Sequence, residues 1–117
     1  MLPHVRGLTA CPVMAEVNGQ LAVLGKGYHA INGGLLVTAG ELPPIIEIDE
    51  AIETLRLLLE EFDFDTTGDR SRAFASIITP GLRLGGLLEG HLPTDCAEAD
   101  QSQAGKTFRQ KIIFVIY

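Results

Sequence analysis

Residues 99–107 read ADQSQAGKT. The last four letters, Ala104-Gly105-Lys106-Thr107, match the end of the pattern G-x-x-x-x-G-K-[ST], with Asp100 where the first glycine is expected. In that pattern a turn follows a β-strand and opens an α-helix. Its reading therefore decides whether the C-terminal part of the chain starts a parallel α/β sheet. The chemistry behind it is specific. Consecutive backbone N–H groups point at an anion, and the N-terminus of the following helix adds its dipole. By that reading Gln101, Ser102, Gln103, Ala104 and Gly105 form the loop, and Lys106 reaches the β- and γ-phosphates of ATP. The Thr107 hydroxyl ligates Mg²⁺. Gly105 is required because the backbone approaches the phosphate too closely for a β-carbon. Asp100 places a carboxylate near that phosphate, although Asp tolerates left-handed backbone better than most residues.

Working outward, residues 94–99, TDCAEA, are the expected strand into the loop. Asp95 and Glu98 interrupt the apolar run of a central parallel strand, and Cys96 is expected there as a small buried residue. After the loop, KTFRQKIIFVIY must be helix if the loop cradles phosphate. IIFVIY alone favours strand, and a strand over 108–117 would point instead to an edge or partner-binding segment.

Upstream, residues 1–45 read as short strands and turns. VMAEV (13–17), Asn18-Gly19 and the apolar letters of QLAVL predict a hairpin, because Asn-Gly accepts the positive φ of a two-residue turn. Gly25-Lys26-Gly27-Tyr28, Asn32-Gly33-Gly34 and LLVT (35–38) form a second unit of turn chemistry; GKGYHAINGG is not a dinucleotide fingerprint. Leu42-Pro43-Pro44 is a stiff break. From Asp49, the expected N-cap, the period turns helical: Ile52, Leu55, Leu59 and Phe62 share a face. The carboxylates from Glu47 to Asp65 read as a solvated face, since they lack the alternation of a calcium loop. A second helix is expected from a cap at Thr67 or Asp69. It carries Phe74, Ile77 and Ile78, with a kink at Pro80-Gly81 before Leu82, Leu87 and Leu88.

The chain has 117 residues, one domain or a piece of one. Its net charge of −6 opposes a nucleic-acid-binding surface, which needs clustered cations. Cys11 and Cys96 form no C-x-x-C pair, and His4, His29 and His91 have no metal-ligand spacing. No apolar run is long enough to span a membrane, and no secretion signal opens the chain, so the expectation is a cytoplasmic, reduced protein.

The stretch from Leu2 to Thr107 resembles the region around the first half of the ATPase domain in primase–helicase-like proteins of phages, plasmids and integrated elements. The likeness rests on Pro12, Gly19, Gly27-Tyr28-His29 (usually Gly-Tyr-Asp there) with Gly33 or Gly34, and the proline break. Phe62-Asp63-Phe64, a helix near Asp69-Arg70, the Ile-Thr-Pro segment of 77–80 and the loop continue it. The resemblance implies a fold that is α+β with an α/β element. A β-hairpin-rich lead-in (1–45) would precede a helical segment and the strand–loop–helix start of an incomplete P-loop NTPase core (46–117). It implies ATP and Mg²⁺ as ligands at Gly105, Lys106 and Thr107. It also implies a fragment that does not hydrolyse ATP alone, because the acidic residue on a second strand would lie in the remainder of a longer parent. Nucleic acid would be met only through that remainder. Association with a downstream chain, or self-association, would cover exposed strand and helix faces. Two other readings stand beside it. One is a non-enzymatic α+β binding or assembly module in which GKT is accidental. The other is a metal-dependent hydrolase using Asp95, Glu98 and Asp100.

Overall fold

Asn18 and Gly19 have φ of 53° and 78°. This is the backbone that lets a two-residue turn follow the right-handed twist of its strands. They join β2 (Val13–Val17) to β3 (Gln20–Leu24), which pair antiparallel from Val13↔Leu24 to Val17↔Gln20. The hairpin expected from Asn-Gly is therefore present. Along β2, Val13 and Ala15 are buried while Met14 and Glu16 are exposed, the period-two alternation of a half-covered strand. A second hairpin joins β4 (Gly27–Ile31) to β5 (Gly34–Thr38), again antiparallel. On the far side of β5 lies β1 (Val5–Thr9), parallel to it, giving the sheet order β1-β5-β4. Its register shifts between Val5 and Gly7.

The structure is a computed structural model that describes residues 2–31, 33–96, 98 and 105–117. It is an α+β protein with five strands in two sheets and three helices among the described residues. The chain divides into two units. One takes the residues up to Pro43, Ile78–His91 and Tyr117; the other takes Pro44–Ile77 and Leu92–Ile116. In the β unit, Val13, Ala15, Ile31 and Leu36 form the buried core, with Leu24 and Leu84 packed against it. Gly85 is buried there, and a Cβ at that position would collide with the Met14 carbonyl. Thr9 and Thr38, register partners on β1 and β5, are also buried. Thr38 Oγ1 donates to the Cys11 carbonyl at 2.6 Å and accepts from Gly40 N at 3.1 Å, so the burial leaves these hydroxyl and carbonyl groups satisfied.

The helical unit is built on α1 (Ile48–Leu58), the first part of α2 (Thr67–Leu84) and α3 (Lys106–Ile116). The N-cap of α1 is Glu47, not Asp49, which sits in the first turn with Glu50. Thr66, not Thr67 or Asp69, caps α2. Its Oγ1 accepts from Asp69 N at 3.1 Å while Asp69 Oδ2 accepts from Thr66 N at 3.1 Å, a reciprocal capping box with Asp as its acid. α2 runs through Pro80, where the kink was expected, to Leu84. The core is Leu59, Ala73 and Ile77, lined by Leu55, Phe62, Phe64, Phe74, Ile113 and Ile116. Of the face expected on the first helix, Leu55, Leu59 and Phe62 join this core, and Ile52 is left 49% exposed.

The described part of the strand expected before the loop, residues 94–96 and 98, has no regular structure, and Cys96 is exposed. Asp95 and Glu98, three residues apart, would put a carboxylate on each face of a strand and leave too little apolar surface for a central one. The three-stranded sheet is made instead from residues 5–38. Thus the strand–loop–helix start of a P-loop core finds only its helix among the described residues. No helix among them is long and apolar enough to cross a membrane.

Candidate functional site

The first residue of the expected cradle within the described chain is Gly105; Asp100 and Gln101, Ser102, Gln103 and Ala104 lie outside the described residues. Gly105 has φ +81°, a left-handed backbone that costs an L-residue about 1–2 kcal/mol. A Cβ here would also lie 3.2 Å from Phe62 Cε1. Arg109 N donates to the Gly105 carbonyl at 2.9 Å, which makes Gly105 the residue from which α3 starts. KTFRQKIIFVIY is thus helical from Lys106 to Ile116 despite its strand-favouring letters. Packing decides this, since Ile113 and Ile116 complete the helical unit's core.

Four consecutive residues of α3 point to different surroundings. Lys106 is half-buried and Thr107 is exposed. Phe108 stacks on Phe62 with ring centroids 6.3 Å apart, and Phe62 on Phe64 at 6.2 Å. Arg109 turns inward and is 7% exposed. Its Nη2 donates to Asp95 Oδ2 at 2.8 Å and its Nη1 to Ser76 Oγ at 3.1 Å. Buried cations are found paired, and here one carboxylate and one hydroxyl receive the guanidinium.

The helix starts differ in charge. Asp49 and Glu50 occupy the first turn of α1 and Asp69 that of α2, each favourable at the positive end of a helix. Thr66 and Arg72 hold the Asp69 carboxyl below the usual carboxylate range, the Thr66 hydroxyl being the larger cause. In α3 the first turn holds no acidic residue and begins with Lys106. A cation there opposes the dipole, and an anion bound at the helix start would satisfy both.

Two of the three carboxylates of the metal-site reading can be placed. Asp95 is engaged by Arg109, Glu98 is exposed and Asp100 lies outside the described residues. No cluster of three metal-ligating side chains occurs among the described residues. The Gly27-Tyr28-His29 element is a strand: Tyr28 is 78% exposed, and His29 Nε2 donates to the Gly25 carbonyl at 2.7 Å. Arg109 is the residue that sequence reasoning missed. Its spacing from Ile113 and Ile116 (i, i+4, i+7) put it on the inward face once the segment was taken as helix.

No protein-family model matches the chain, and neither does any curated protein or solved structure.

Proposed function

We propose that the chain is a nucleotide-phosphate-binding piece of a mobile-element DNA-replication ATPase of the primase–helicase type. In this reading ATP with Mg²⁺ is its ligand, and the chain binds without hydrolysing alone. The observation that supports this is the start of α3. Gly105 holds a left-handed backbone against Phe62, and the helix opens with Lys106 and Thr107 and no carboxylate. Backbone N–H groups of the first turn would receive a phosphate, Lys106 would neutralise it, and the exposed Thr107 hydroxyl would ligate the Mg²⁺ that the nucleotide brings. Arg109, committed to Asp95 and Ser76, is a brace for this helix start rather than a phosphate ligand.

Calorimetry of Mg²⁺-ATP and Mg²⁺-ADP with the folded chain, beside Lys106→Ala, tests the proposal. Dissociation constants of about micromolar to low millimolar, lost in the variant, support it; absence of heat with a folded chain removes it.

A second reading, the non-enzymatic binding or assembly module, is favoured by a separate observation. Phe114 and Val115 on α3 are 83% and 87% exposed. Large apolar groups left in water near the end of a helix suit association with another chain. Sedimentation of the wild-type chain beside a Phe114→Ser/Val115→Ser variant separates the two readings.

A further inference from the structure

α1 is amphipathic, yet none of its residues is buried. Its apolar stripe runs Ile48, Ile52, Leu55 and on to Leu59, the i, i+4, i+7, i+11 spacing of one helix face. Only the C-terminal end of that stripe is used. Leu59 is 1% exposed in the core and Leu55 packs against it. Ile48 and Ile52 remain 73% and 49% exposed. Ile45 and Ile46, just before the helix, are uncovered as well. Four isoleucines in eight residues are thus left to water, among the least favourable side chains to leave there.

The charge around them says what fits. Glu47, Asp49, Glu50 and Glu53 are exposed on or beside the helix, and Glu60, Glu61, Asp63 and Asp65 follow. The only cation between Pro44 and Asp65 is Arg56, and its Nη1 pairs with Glu53 at 3.1 Å. At about 100° per residue, Ile48, Ile52 and Leu55 fall within a narrow arc; Asp49 and the Glu53-paired Arg56 border it on one side, and Glu50 lies opposite. An apolar seam set in so acidic a segment repels a second copy of itself, an anionic membrane and nucleic acid alike. It attracts a seam edged by cations.

We infer that the exposed face of α1 docks a basic amphipathic helix of a partner protein. Apolar anchors of that helix at i, i+3 or i+4 and i+7 lie along Ile48, Ile52 and Leu55, and its flanking Lys or Arg meet Glu47 and Asp49 at the start of α1. The interaction needs neither a nucleotide nor Gly105, Lys106 and Thr107.

The test uses the full chain and a fluorescein-labelled peptide of about five helical turns with Leu at helical spacing and Lys elsewhere, followed by anisotropy at low and high salt. A twin peptide with Glu in place of Lys is the control. The expected result is binding of the Lys peptide alone, weakened about tenfold or more at high salt. It is also lost by about tenfold in Ile48→Ser/Ile52→Ser, which removes the seam at exposed positions and keeps every charge. Binding unchanged in that variant would mean diffuse attraction to an acidic surface and would overturn the inference. So would a self-association by sedimentation that the same double variant abolishes, or equal binding of the Glu peptide.

Discussion

The two units of this chain are held together by different means. The β unit is electrically balanced and glycine-rich. Its core closes because backbone passes close to backbone, as at Gly85 under the Met14 carbonyl. The helical unit carries the acidic run and closes around aromatic rings and one buried guanidinium, Arg109. The first is specified by what must be small, the second by what must be paired. A unit of the first kind offers little chemistry at its surface. The second kind keeps a charged group next to a helix start, where it can brace a site.

Substitutions should separate the two cases. The largest effect is expected for Gly85→Ala, about 3 kcal/mol of stability lost, because the obstructing atom is a carbonyl that cannot swing aside. Urea denaturation gives the total, and hydrogen exchange should show faster opening in β2 and β5. Next comes Asp95→Ala at about 2 kcal/mol, since it strands a guanidinium that is only 7% exposed; the figure is reduced because Asp95 itself is partly in water. Here protection should fall in α3 and the first part of α2. If both variants loosen both units equally, the distinction fails.

Gly105→Ala should cost about 1.5 kcal/mol from its left-handed backbone and the nearby Phe62 ring, and Gly105→Asn less. Thr66→Ala should cost about 1 kcal/mol through the lost cap of α2, read from the thermal midpoint. The smallest effect is the acid limb. The folded-state value of Asp69 is depressed, so its contribution is present above the ordinary carboxylate range and is lost as pH falls through the lowered value. Asp69→Asn should flatten that part of the stability–pH curve, and a curve unchanged by it would remove Asp69 as a source.

Local chemistry was readable in advance and distant pairing was not. Asn18-Gly19 announces its hairpin in two letters because the turn's φ values are a local demand. The helical period from Ile52 to Phe62 is equally local, though it could not say that Ile48 and Ile52 stay in water. β1 against β5 is legible nowhere in either strand, since parallel partners are chosen by tertiary contact. TDCAEA was expected as strand on the strength of the loop pattern, and its described residues, 94–96 and 98, form none. Asp95, weighed as a metal ligand, serves Arg109 instead, a partnership 14 residues away that no motif encodes. At the candidate site, Gly105, Lys106 and Thr107 stand out in the sequence, while the brace behind them required the folded chain.

The parallel pair also sets an order of events. Its register partners, such as Val5 and Leu35, lie about thirty residues apart, whereas the β2–β3 hairpin closes over a two-residue turn. Closing the β1–β5 pair therefore costs more loop-closure entropy than closing the β4–β5 hairpin, and β1 is expected to join after those two strands have paired. During synthesis β1 emerges well before its partner β5. The backbone N–H and C=O groups along its edge are then available to other chains until β5 arrives.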